Sequence, residues 1–212
     1  MAKIGQLVSD IELRLTKGNV SDDFQIDRRQ IRFWLDIIRA QLIEQKESAQ
    51  GMQELADFVR LYECVAIEER DIKCGDGCNG KRFEIKLPVS VSELKNDLGV
   101  YRVETISGNT IYRIRLSEKK RIYSLKFSQP SKYRAVYWRV GDTLTIEGGT
   151  DNFKENGKVH LFLIPEDTSD FDDEDEYPID ASLIPMLLDR AEEIGRREIG
   201  IIEDPENDGK QQ

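Results

Sequence analysis

The chain is poor in the residues that most intracellular chemistry uses. It has one histidine, His160, and three cysteines, Cys64, Cys74 and Cys78, in 212 residues. A single imidazole excludes most hydrolase mechanisms that need a histidine base beside a nucleophile. Three thiols cannot all pair within one chain, so a disulfide framework is not expected and a reducing compartment is the default. No apolar run approaches the roughly 20 residues of a membrane span, and the N-terminal Met-Ala-Lys-Ile-Gly-Gln turns polar too early for a secretory signal. Net charge is −10, which argues against general attraction to DNA or anionic membranes. The length suits one domain, or a domain with an appended element.

The charge that is present is segregated. Residues 1–80 carry 11 basic and 15 acidic side chains, residues 81–140 carry 14 and 5, and residues 141–212 carry 6 and 21. A cationic middle beside an anionic end suits either folding back or head-to-tail contact between copies. A solvated acidic loop is the alternative explanation.

Periodicity divides the chain into helix, strand and helix. Ile4, Leu7, Val8, Ile11 and Leu15 recur at helical spacing, with Gly18 at the expected stop. A second helix opens at Asp27, with Ile31, Trp34, Leu35, Ile38 and Leu42 as its stripe; Phe33 and Ile37 widen the apolar surface beyond one face. The short connector 19–26 favours an antiparallel pair, and Lys46–Gln53 reads as a loop or frayed end. From Phe58 the period becomes two, and short alternating runs continue to Ile164. Gly141-Asp142 is a two-residue hairpin signal of the II′ kind. The acidic stretch Glu166–Glu176 reads as a self-repelling flexible loop. A third helix carries Leu183, Leu187, Ala191 and Ile194, with Pro185 in its first turn. The expected class is α+β, organised as an N-terminal helical region (1–53), an antiparallel β-sandwich or small barrel (54–165), an acidic loop (166–178), a C-terminal helix (179–203) and a disordered acidic tail (204–212).

Three segments invite chemical readings. Gly75-Asp76-Gly77-Cys78-Asn79-Gly80-Lys81-Arg82 satisfies two phosphate-loop patterns, but both need a helix to begin there. Arg82 stands where Ser or Thr would hold Mg²⁺, and a strand pattern follows, so a glycine-rich β-connection is expected. Cys64, Cys74, Cys78 and His160 are enough in number for a zinc site, yet nothing in their spacing brings His160 close. Neither a metal nor a cofactor is therefore expected. Basic residues from Arg113 to Arg139, interleaved with Tyr112, Tyr123, Phe127, Tyr133, Tyr137 and Trp138, have the composition of a single-stranded nucleic-acid-binding β module. Period two, however, assigns many of those rings to a core face.

The order of these features resembles the ring or head–tail connector proteins of crAss-like podoviruses that infect Bacteroidetes. The likeness runs from the arginine-studded helix at Asp27–Gln45, through Cys64, the Cys74-x₃-Cys78 loop and Arg82–Pro88, to the hairpin Tyr137–Leu144. It continues through Leu163–Asp167, the acidic loop, Tyr177-Pro178-Ile179, the closing helix and the tail Glu203–Asp208; Ser117–Lys126 departs from it. The resemblance implies a virion structural protein without catalytic residues, forming a ring, twelve-fold in such proteins, between portal and tail. Its implied partners are further copies, the portal and other ring proteins, with transient passage of phage DNA and no membrane, after assembly in the bacterial host cytoplasm. The candidate contact residues are Arg32, Phe33, Trp34 and Ile37 on the second helix. For charge contacts they are Arg113, Arg115, Lys119, Lys120 and Arg121 facing Asp170, Asp172, Asp173 and Asp175.

Overall fold

A computed structural model describes residues 2–17, 26–50, 52–74, 78–119, 130, 134–149 and 157–199. The chain is α+β and divides into two compact units. One is discontinuous, joining residues 1–58 with 168–212; the other is the continuous stretch Val59–Asp167.

The first unit is built on helices α1 (Ile4–Leu15), α2 (Arg28–Gln50) and α3 (Ile184–Glu198). The stripes read from the sequence are the buried ones. Ile4, Leu7, Val8, Ile11 and Leu15 of α1 and Ile31, Trp34, Leu35, Ile38, Leu42 and Ile43 of α2 are all buried, each full burial contributing roughly 1.5–3 kcal/mol. Asp27 caps α2, its Oδ1 accepting from the Arg29 amide at 3.0 Å. The helix continues through the polar stretch 46–50 that had been expected to fray. Propensity there favours helix, since Glu, Gln, Lys and Ala are good formers even without an apolar stripe. Gly18 and most of the connector 19–26 lie outside the described residues. Pro185 falls in the first turn of α3, where its missing N–H costs nothing. Among the described residues, no helix is long and apolar enough to cross a membrane.

The second unit is an eight-stranded, nearly closed barrel-like sheet. Its strands are β1 (Arg60–Ala66), β2 (Glu68–Cys74), β3 (Cys78–Lys86), β4 (Val100–Thr105), β5 (Thr110–Arg113), β6 (Val136–Val140), β7 (Thr143–Glu147) and β8 (Lys158–Leu163). The spatial order is β1-β8-β4-β5-β6-β7-β3-β2. The two edge strands are consecutive in the chain, separated by Ile67 alone, so the sheet must curl until its edges approach. Phe83, Ile85, Val103, Ile111, Tyr137, Leu144, Ile146, Val159, Leu161 and Leu163 fill the interior, as period-two alternation requires. Burial raises the Tyr137 hydroxyl pKa above its usual range.

Gly141-Asp142 joins β6 to β7, with Val140 opposite Thr143. Gly141 has φ +58° whereas Asp142 is not among the positive-φ residues, as a II′ turn demands. The strand at β3 runs through Cys78–Arg82, leaving no helix start for a phosphate. β1 carries a bulge between Tyr62 and Val65 with Cys64 at φ +56°, a conformation that costs a non-glycine residue roughly 1–2 kcal/mol.

The expectation of a wholly antiparallel sheet needs one correction. β5 and β6 pair in parallel, Tyr112 with Val136 and Arg113 with Tyr137. Parallel neighbours need a long crossover, and residues 114–135 supply it. The reading of Tyr123, Leu125 and Phe127 as a strand falls on residues outside those described.

Gly195 sets the closest approach within the first unit. A Cβ there would stand 2.7 Å from Leu15 Cδ1 and 3.0 Å from Trp34 Cζ3. Replacing a helical glycine by alanine ordinarily stabilises. Gly195→Ala is expected instead to destabilise by about 1–3 kcal/mol, read as a lower Tm in calorimetry; a raised Tm would show that this packing is loose.

Candidate interaction surface

The acidic segment is where structure and sequence expectation part most clearly. Residues Thr168–Asp180 form a strap packed on the helices rather than a loose loop. Phe171, Tyr177 and Ile179 are buried. The backbone of the strap accepts from the start of α1: the Ile4 amide donates to the Asp175 carbonyl at 3.0 Å and the Gly5 amide to that of Asp173 at 2.9 Å. In return the Tyr177 amide donates to the Ala2 carbonyl at 2.9 Å. The α1 N-terminus thus places its orphan donors against the most acidic part of the chain, which suits the positive end of a helix.

Two polar residues of α2, three apart and so on one side of the helix, anchor the strap. Asp36 accepts from the Thr168 amide at 3.1 Å, from the Thr168 hydroxyl at 3.1 and 3.0 Å, and from the Tyr177 hydroxyl at 3.1 Å. Arg39 is wholly buried; its Nε donates to the Pro178 carbonyl at 2.8 Å and its Nη2 to the Phe58 carbonyl at 3.3 Å. Burial raises the Asp36 pKa, while the Thr168 and Tyr177 bonds and the nearby Arg39 charge pull it back. The Tyr177 pKa is raised by its own burial and by the Asp36 charge. At the far end of the strap, Asp180 accepts from the Ser182 amide at 2.9 Å and pairs with Lys46 of α2 at 2.7 Å. Those bonds lower its pKa to about 2.

This arrangement distributes the candidate residues unequally. Phe33 and Ile37 point outward, 61% and 37% exposed, one turn apart on α2. Trp34 points inward and is 3% exposed. Arg32 is half-buried, donating to the Phe171 carbonyl and lying 3.9 Å from Asp173. Of the acidic candidates, Asp173 also lies 3.7 Å from Arg28, and Asp175 accepts from the Asp172 amide at 2.9 Å. Asp170 and Asp172 are exposed and form no ion pair among the described residues.

The basic candidates are similarly divided. Arg113 donates to the carbonyls of Asp97 at 3.0 Å and Val100 at 3.3 Å. Lys119 pairs with Glu147 at 3.0 Å and sits 3.8 Å over the Trp138 ring. Arg82 shares both partners, at 3.4 Å from Glu147 and 5.7 Å from the ring. Arg115 is exposed, and Lys120 and Arg121 lie outside the described residues. Tyr137 is core. Tyr112 is exposed with the Arg134 guanidinium 5.1 Å above its ring. Among the described residues, no group of three or more His, Cys, Asp or Glu could hold a metal ion. The Cys74 and Cys78 side chains lie outside what is described.

Sequence reasoning missed Asp36, Arg39, Thr168, Tyr177 and the Lys46–Asp180 pair. The available signal was Phe171, Tyr177 and Ile179, large apolar groups set into an otherwise acidic stretch.

The family model for phage tail ring protein 2 matches residues 6–212, so this chain belongs to that family of crAss-like phage ring proteins. No curated protein matches it significantly.

The Asp180 pKa gives a pH test with a defined sign. Asp180 is more acidic folded than unfolded, so its contribution is present above pH 4 and is lost as pH falls through about 2. Asp36 has the opposite sign, its contribution shrinking as pH rises through its raised pKa. Asp180→Asn is expected to lower Tm at pH 7, with the gap to wild type closing between pH 4 and 2. A gap that is constant with pH would contradict the Lys46 pairing.

Proposed function

We propose that this chain is a structural, non-catalytic subunit of a closed ring in the head–tail connector, lying between portal and tail and forming part of the channel for genome passage. Family membership supports ring formation, and twelve-fold closure fits the resemblance read from the sequence. The observation that carries the contact assignment is the outward placement of Phe33 and Ile37 on a helix whose other large apolar residues are buried. Aromatic and aliphatic anchors of this kind supply the energy of interfaces, whereas rim charges set register and partner choice. A ring of identical subunits needs two different complementary patches on each copy, and the opposed charges of the middle and C-terminal segments offer the polar component. An acidic excess lining a channel would repel DNA and let it slide. The N-terminal helices serve in this reading as an antiparallel pair that presents the α2 face to a neighbouring copy or to the portal; the acidic tail 204–212 lies outside the described residues.

A second reading, a single-stranded nucleic-acid-binding β module, draws on the exposed Tyr112 beneath Arg134. It requires salt-sensitive retention on single-stranded DNA.

Electron microscopy and sedimentation of the purified protein test the primary reading. Wild type is expected to form closed rings, alone or on the portal. Phe33→Glu with Ile37→Glu is expected to weaken assembly at least tenfold while leaving monomer stability within about 0.5 kcal/mol, as surface changes usually do. Rings unaffected by both substitutions would remove α2 from the contact.

A further inference from the structure

A ring contact made by the α2 face needs a second, different patch to receive it, and the barrel unit carries one. On β8, Val159, Leu161 and Leu163 are buried, so the alternate residues His160 and Phe162 face outward. On β1, Tyr62 packs against the core and its neighbour Leu61 stands outward, 43% exposed. The register sets Leu61 opposite Phe162, and Phe162 opposite Arg102 of β4. Tyr112, Leu116 and Val140 are also large, apolar and exposed on this unit. Tyr112, however, pairs with the buried Val136, Val140 pairs with Thr143, and Leu116 lies outside the strands. Leu61 has a half-buried phenylalanine directly beside it, so these two form a continuous apolar patch.

The charges around that patch are sorted by pairing. Arg102 lies 4.1 Å over the Phe162 ring and pairs with Glu104 at 3.1 Å, so both are engaged. Glu63 lies two residues beyond Leu61 on the same strand, about 7 Å away. It is exposed and forms no ion pair among the described residues. On α2, Arg29 stands in the corresponding relation to Phe33, one turn before it and about 6 Å along the axis. Arg29 is likewise exposed, and its guanidinium forms no ion pair among the described residues. Each surface therefore offers an apolar anchor and, at a matching distance, an unpaired charge opposite in sign to the other's. We infer that the α2 face of one copy docks on the outer β1–β8 face of the next. Phe33 and Ile37 cover Leu61 and Phe162, and Arg29 meets Glu63. The inference rests on the ring reading and commits the α2 face to a neighbouring copy rather than to the portal.

Cys64, exposed beside Glu63, makes the contact testable by cross-linking. One protein carries Cys74→Ser and Cys78→Ser and keeps Cys64; the other has all three cysteines replaced by serine and carries Arg29→Cys. The two are mixed, with portal added if assembly requires it, and the fraction that sediments as rings is oxidised with copper phenanthroline. A disulfide-linked species of two-subunit mass, formed by the mixture and by neither protein alone, is the expected result. Rings without that species would overturn the inference and leave the ring reading standing; failure of wild-type protein to form rings would sink both. Two further variants decide the case in which the cysteine proteins do not assemble. Leu61→Glu is expected to raise the concentration for half-assembly at least tenfold with the monomer Tm unchanged. Arg29→Glu is expected to raise it about two- to fivefold, and adding Glu63→Arg to restore it. Assembly weakened by Phe33→Glu with Ile37→Glu but untouched by Leu61→Glu, or a charge swap without restoration, would also overturn the docking.

Discussion

A half-buried carboxylate on α2 organises the surface of the helical unit. Asp36 accepts from Thr168 and Tyr177, and its neighbour Arg39 holds the Pro178 carbonyl. Leaving the wholly buried Arg39 without its partners would cost several kcal/mol, so the strap and the helix stand or fall together. With them in place, an acidic stretch that would otherwise repel itself into solvent becomes a fixed ridge. Its direction follows from that anchoring: Phe171, Tyr177 and Ile179 turn inward, and the carboxylates at 170 and 172 turn outward.

The barrel unit solves a comparable problem with cations. Its basic residues outnumber its acidic ones, yet several are neutralised locally: Arg82 and Lys119 by Glu147, Arg102 by Glu104, Arg139 by Glu93. Trp138 lies beneath two of them, an aromatic–cation arrangement that adds to the ion pairs. Of the basic run from Arg113 to Arg139, Lys119 and Arg139 are held in such pairs among the described residues.

Much of the fold was legible because its stripes are clean. Ile4 to Leu15 and Ile31 to Leu42 keep helical spacing, and Gly141-Asp142 dictates a hairpin. The failures have physical causes. The strap was misread because charge density dominated three anchoring apolar residues. β2 was missed because Glu68–Cys74 has no alternation to see, and the β5–β6 pairing because parallel neighbours are distant in sequence. For the contact surface, the excess apolar width of α2 correctly drew attention to Phe33 and Ile37. It did not separate them from Trp34, which faces Gly195 across the helix interface. A wholly buried arginine such as Arg39 leaves no trace in a hydropathy pattern.

Hydrogen–deuterium exchange over residues 168–180 tests most directly whether the strap is a fixed part of the helical unit. The amides of Thr168, Phe171, Asp175 and Tyr177 all donate to protein acceptors, so slow exchange is expected there in wild type, with protection lost in Asp36→Ala. Exchange at the rate of an unstructured peptide in wild type would contradict the account.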